Sequence, residues 1–268
     1  MNRVKLSVVG LGTLFFVSAC ATTNTVKPIG DSAESAAARF AIYAIAANNA
    51  YKETSRPHLD LPSSWRLSKE VNDKETGLQF DVYEVSKDGH DKELVIAFRG
   101  TDSEDDNPAT SKKQYELIDK LIPDTIRSNP NTKITAVGHS LGGGLALHTS
   151  LVFDGIDAYA FNPSPRIYRH GNNKPNSRYM VNEKGDPLNK ARIVWKNVPG
   201  TNEWEFDFSD HGEKQHFSYP LALGLLLLGS TEDRDLQTLM HANCDSRLQK
   251  DCEKMKAKIK GNYNIVIE

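Results

Sequence analysis

Along the chain, stretches that repeat apolar positions at helical spacing alternate with shorter runs that suit strands. Residues 32–51 are alanine-rich, with Phe40, Tyr43 and Ile45 recurring near the helical period, and predict a first long helix. Residues 78–85 alternate apolar and polar side chains, and residues 93–98 (E-L-V-I-A-F) form the near-continuous apolar run of a strand buried on both faces. Residues 111–128 place Tyr115, Leu117, Ile118, Leu121 and Ile122 on one side of a helix that Pro123 is expected to kink or end. A strand over 133–137 follows an Asn-Pro-Asn turn signal, and residues 145–150 return to helix formers. Residues 157–161, 178–181 and 204–208 read as further strands, and residue 221 onward as a helix that begins buried and becomes polar. Strands alternating with helices imply an α/β domain, a mostly parallel sheet covered by helices.

The first residues change the picture of where this domain works. A basic start (Arg3, Lys5), an apolar run over 6–17 and Val17-Ser18-Ala19-Cys20 have the layout of a secretory signal peptide, too short for a stable transmembrane span. The small residues before the cysteine resemble a bacterial lipobox. That resemblance implies a leader over 1–19 and an acylated Cys20, and Ala21 after it favours sorting to the outer membrane, facing the periplasm. The alternative is an ordinary signal peptide cut at Ala19 or Ala21. Residues 20–31, polar and small, suit a tether, which leaves 32–268 as a single domain with a C-terminal helical extension.

Export also bears on the cysteines. With Cys20 lipidated, Cys244 and Cys252 remain as a candidate pair in an oxidising compartment. On one continuous helix they would lie roughly 12 Å apart, beyond disulfide reach, so a bridge requires a turn between them; two free thiols on one helix are the alternative. Charge excludes another class. Removing Arg3 and Lys5 takes two from 33 basic residues against 35 acidic ones, and no basic excess is left for nucleic acid.

The chemistry centres on Gly138-His139-Ser140-Leu141-Gly142, a G-x-S-x-G pentapeptide between a predicted strand and a predicted helix. A turn tight enough to expose the serine strains its backbone and brings strand and helix so close that the positions two before and two after it must be nearly bare. Gly138 and Gly142 meet that demand. In an α/β hydrolase the acid and then the histidine follow the serine along the chain. Asp186, in the loop Asn182-Glu183-Lys184-Gly185-Asp186-Pro187 after a strand, is the first candidate acid; Asp154 and Asp157 lie too near the helix after the elbow. For the base, His216 stands directly before an apolar helix that would hold it, whereas His211 sits in a polar turn. A metal site built on both histidines lacks a third ligand at a telling spacing.

An oxyanion hole needs the amide after the serine, Leu141, and a second donor from the loop after an earlier strand, where F-R-G-T ends in Thr101. F-R-G-T after an apolar strand, G-H-S-L-G-G, a strand ending in F-N-P, N-x-x-x-D-P, and H-x-x-Y-x-L-A together resemble the class 3 (fungal-type) lipase family of the α/β hydrolases, over roughly residues 32–229. The resemblance implies Ser140 as nucleophile, Asp186 as acid, His216 as base, and Thr101 and Leu141 as oxyanion donors, with no metal or organic cofactor. Residues 102–110 depart from the family, being acidic and without the apolar helical stretch many members use as a lid, which favours soluble esters or phospholipid acyl chains over triglyceride. The expectation is a lipid-anchored envelope hydrolase of carboxylic esters whose partners are its ester or lipid substrate and the membrane, with protein partners unknown. A non-catalytic envelope lipoprotein on the same fold would lack convergence of Ser140, Asp186 and His216. A thioesterase or peptidase would show a deep polar pocket near Ser140.

Overall fold

Seven strands form one sheet whose spatial order, β1-β2-β3-β4-β5-β6-β7, is also their order in the chain. The computed structural model describes residues 31–53, 56–87, 91–101, 108–165, 167–168, 173–194, 198–210, 213–245 and 248–267. Strands β1 (Trp65–Asn72), β2 (Gln79–Lys87) and β3 (Asp91–Phe98) run antiparallel as a meander, and β4 (Lys133–His139), β5 (Ile156–Phe161), β6 (Arg178–Glu183) and β7 (Thr201–Phe206) add in parallel. The α/β architecture is therefore that of an α/β hydrolase-like sheet, mostly parallel, and its first third is an antiparallel edge that the alternation of strands and helices did not predict.

Alternation within the apolar runs explains why the central strands are buried on both faces. Val95, Ala97 and Val137 face helices α1 (Ala33–Asn49) and α5 (Ser218–Gly229), whereas Ile96, Phe98 and Ala136 face α2 (Pro108–Ser128) and α3 (Leu141–Val152). Each fully buried valine, isoleucine or phenylalanine of this kind contributes roughly 1.5–3 kcal/mol. Ser32 caps α1 by accepting the Ser35 amide at 3.1 Å, and the alanines at 36, 37, 41 and 44 keep its inner face shallow, so α5 packs closely along it.

Helix α2 runs on through Pro123 instead of ending there, without the amide hydrogen bond that proline cannot donate. Strand β1 was not predicted, because its pattern is almost wholly exposed and a bulge between Leu67 and Lys69 breaks its alternation. A short helix α4 (Leu188–Val194) after β6 was also missed. The single helix expected from residue 221 is three: α5, α6 (Arg234–Cys244) and α7 (Gln249–Tyr263). Because the chain turns between α6 and α7, Cys244 and Cys252 come to a Cα separation of 5.8 Å and are bonded.

Candidate active site

Strand β4 ends in the predicted elbow, and its two glycines are there because backbone fills the space a side chain would need. A first carbon added at Gly142 would lie 2.2 Å from the Phe98 carbonyl oxygen, and one at Gly138 would lie 2.3 Å from the Gly142 carbonyl. Between them Ser140 holds φ 56° and ψ −123°, a conformation that costs a non-glycine residue on the order of 1–3 kcal/mol. Hydrogen bonds hold it there: the Ser140 amide donates to Phe161 at 3.0 Å, and its carbonyl accepts from Gly144 at 3.1 Å and Ser164 at 2.8 Å. Although Ser140 stands at the N-cap of α3, its hydroxyl makes no capping bond. It is turned to a histidine instead.

Ser140 Oγ lies 2.9 Å from His216 Nε2, and His216 Nδ1 lies 3.0 Å from Asp186 Oδ1. His216 ends a short 3-10 turn, Glu213–His216, with its side chain about a quarter exposed, whereas Asp186 is buried in the turn after β6. Asp186 Oδ1 also accepts the Leu188 amide at 3.1 Å, and its other oxygen pairs with Arg192 from α4. Burial alone would push this carboxyl upward, but the bond to His216 and the Arg192 guanidinium outweigh it and hold the carboxyl below the ordinary aspartate range. A group ionised in this way can accept a hydrogen bond from Nδ1–H of His216, which keeps the proton on Nδ1 and leaves Nε2 bare toward the Ser140 hydroxyl.

Leu141 follows the serine directly, and Thr101 follows Gly100 in the segment after β3. Leu141 opens α3, whose unsatisfied amides and dipole favour negative charge at this end. The segment after β3 is pressed onto the elbow: a first carbon at Gly100 would lie 2.6 Å from the His139 carbonyl oxygen, and Thr101 is the next residue. Cys20, His211 and residues 102–107, where the leader, the second histidine and the missing lid were read, lie outside the described residues.

Several residues around this centre were not singled out from the sequence. Asn162, at φ 42°, donates from Nδ2 to the Gln215 carbonyl at 3.2 Å and accepts the Glu183 amide at 2.7 Å, tying the histidine segment to the end of β6. Gln215 donates back to the Lys184 carbonyl at 2.7 Å. Glu183 accepts the amides of Phe208 and Ser209 at 2.7 and 2.6 Å. Arg192 further donates to Pro163 and Asn182, at 2.7 and 2.9 Å. The F-N-P pattern pointed to Asn162, but only as a family mark; nothing local to the others announces them.

Residues 34–166 match the family model of the Tle-like phospholipase domain, a phospholipase-like family. Over that stretch the chain belongs to a lipase-like family. In general terms it is thus a carboxylic ester hydrolase. The matched stretch holds Thr101, Ser140 and Leu141 and ends before Asp186 and His216. No curated protein matches the chain. Solved structures similar to this lipase-like chain include a triacylglycerol lipase from Penicillium expansum, at 16% identity over 69% of this chain and 84% of that one, with a TM-score of 0.46. The Rhizomucor miehei lipase in complex with its propeptide is 17% identical over 74% of this chain and 82% of its own, with a TM-score of 0.48. A lipase from Rhizopus microsporus var. chinensis is 19% identical over 58% of this chain and 68% of that one, with a TM-score of 0.43.

Proposed function

We propose that the chain is a serine hydrolase of lipid or phospholipid acyl esters, working through Ser140, His216 and Asp186 and an acyl-enzyme. The observation that carries this reading is the unbroken run of hydrogen-bond distances from Ser140 Oγ through both His216 nitrogens to Asp186. A scaffold kept only as a binding surface has no need to hold a strained serine against an oriented imidazole.

In the first step His216 Nε2 takes the Ser140 proton as Oγ attacks the ester carbonyl, and Asp186 stabilises the imidazolium through the Nδ1–H bond. The carbonyl oxygen becomes an oxyanion. The Leu141 amide and Thr101, through amide and hydroxyl, would receive it; removing one such donor typically costs about 3–4 kcal/mol of transition-state stabilisation. Collapse breaks the ester C–O bond, and the leaving alcohol takes its proton from His216, leaving the acyl group on Ser140. Water then attacks that ester with His216 again as base, and the carboxylic acid leaves. No metal or organic cofactor enters these steps.

The lipid end of the proposal extends to location. Acylation of Cys20 would hold the domain at the bacterial envelope, on the outer membrane facing the periplasm, next to glycerophospholipid. Fluorophosphonate labelling of the purified mature protein, followed by a panel of p-nitrophenyl esters, phospholipid vesicles and triglyceride emulsions, tests the activity. Labelling at Ser140 with release of fatty acid from phospholipid is the expected result; no labelling and no turnover would overturn it. Intact mass of the membrane-extracted protein tests the anchor separately, and an unmodified chain starting near residue 20 would remove it.

A further inference from the structure

The residue just before the nucleophile has a bonding pattern that the reaction above does not use. His139 is almost wholly buried, and its Nε2 lies 2.6 Å from the main-chain carbonyl oxygen of His216. A carbonyl only accepts, so Nε2 carries the proton and Nδ1 is the bare nitrogen. The Tyr51 hydroxyl, 2.8 Å from Nδ1, donates to it and fixes that tautomer. Tyr51 lies just past the end of α1, and the Arg56 guanidinium stacks on its ring, 3.6 Å from the centroid. Arg56 in turn donates to Ser218 Oγ at 3.1 Å, and that hydroxyl donates to Asn48 at 2.7 Å. Three distant stretches, the end of α1, the elbow and the start of α5, thus meet behind the histidine pair, whose ring centroids are 4.9 Å apart.

We propose that His139 is a positioning residue that ties nucleophile to base: bonded covalently to Ser140 and by hydrogen bond to the His216 main chain, it sets the distance over which the serine proton moves. The inference rests on the serine-hydrolase reading above. Without His139, Asp186 still orients the His216 ring, but its main chain is placed only through the neighbouring Gln215, which Asn162 and the Lys184 carbonyl hold. With it, the link is one imidazole long. The same ring has to stay neutral to serve, because an imidazolium beside His216 would oppose the positive charge that His216 acquires during attack. Burial first, and then His216, Arg56 and Arg192 facing the ring, hold His139 well below the ordinary histidine range.

The test compares His139→Gln, whose amide can donate where Nε2–H does, with His139→Leu, which cannot, and with Tyr51→Phe, which removes only the hydroxyl and keeps a ring under Arg56. Active sites are titrated to completion with a fluorophosphonate, kcat and KM for p-nitrophenyl butyrate are measured per titrated site, and Tm is recorded beside them. Loss of the tie in His139→Leu should lower kcat by about tenfold or more with KM little changed, the scale of one lost hydrogen bond in the transition state. His139→Gln should recover most of that loss whatever its Tm, and Tyr51→Phe should show a smaller fall in kcat. Wild-type kcat per titrated site in the Leu and Phe variants, or equal losses in Leu and Gln that follow Tm, would overturn the inference. Should the Leu variant not fold, the Phe and Gln variants carry the same decision. Ser140→Ala run alongside separates the two levels: its continued turnover would overturn the hydrolase reading itself, whereas an inactive Ser140→Ala with indifferent His139 variants would overturn only the role of His139.

Discussion

The two halves of the proposed site are built in opposite ways. On the nucleophile side, Gly138 to Gly142 is one contiguous pentapeptide whose shape is dictated by backbone packed on backbone, with Phe98 and Gly142 in near contact. On the base side, Asp186 and His216 sit in separate loops that Asn162, Gln215, Glu183 and Arg192 hold by side-chain hydrogen bonds across gaps of up to 53 residues. The first half is fixed by steric contact of main chain, the second by side-chain hydrogen bonds. Their failures should therefore differ. A change in the elbow meets a wall of main chain, whereas a change in the base half leaves a buried polar group without its partner.

The largest effect is expected where no structure is lost at all. Ser140→Ala fits the elbow, since alanine is smaller than serine and the hydroxyl spends no bond on capping α3. Ester turnover should fall by roughly four to six orders of magnitude while Tm stays near wild type. Circular dichroism with a turnover assay checks both, and turnover near wild type would break the comparison at its root. Gly142→Ala should do the reverse, reaching activity only through the fold. Its new carbon would overlap the Phe98 carbonyl oxygen, a backbone atom that cannot rotate aside, so we expect a loss of about 3 kcal/mol or more, read by urea titration.

Arg192→Met probes the other half. Asp186 is buried and the Arg192 side chain nearly so, and breaking a buried pair from one side costs about 3–5 kcal/mol because the remaining charge is left uncompensated. The sign of the pH effect follows from the lowered carboxyl. In wild type, Asp186 contributes stability above the ordinary aspartate value, and that contribution is lost as pH falls through its depressed folded value. Methionine removes part of the depression, so acid unfolding should begin at a higher pH in the variant. Identical acid midpoints would show that Arg192 does not hold the carboxyl charged.

The contrast between the halves also explains what could be read in the sequence. Ser140, its glycines and the strand-to-helix context were legible because all of the cause lies within a few residues; the central strands were legible because burial on both faces leaves a continuous apolar run. Asp186 and His216 could be named only by chain order and resemblance, and the structure brings them to Ser140. Arg192 could not be named, since α4 is a short helix of mixed composition and a lone arginine there reads as solvated. Strand β1 was hidden by its exposure. The break between α5 and α6 carried a local sign that went unread: Asp233 caps α6 by accepting the Asp235 and Leu236 amides, so Gly229-Ser230-Thr231 ends one helix before the next begins.

The smallest and most selective effect is expected at Glu183, which lies under the base half and has no counterpart in the elbow. One of its oxygens takes the Phe208 and Ser209 amides, and the other is buried with no hydrogen-bond partner among the described residues. Burial pushes the carboxyl up to about 7, against the two amides that favour its charged form. In the unfolded chain the same group ionises near the ordinary glutamate value of 4.5. Between those values the folded protein holds a proton that the unfolded chain has released, so wild-type stability falls as pH rises through the window and levels off above it. Glu183→Gln keeps an oxygen for both amides and titrates nothing. Its Tm should therefore gain on wild type steadily from pH 4.5 to 7 and run parallel beyond, with turnover at pH 8 little changed. Curves parallel from pH 4.5 upward would mean that the carboxyl ionises in the fold as easily as in water, and the base half would then hold its histidine over a permanent buried charge.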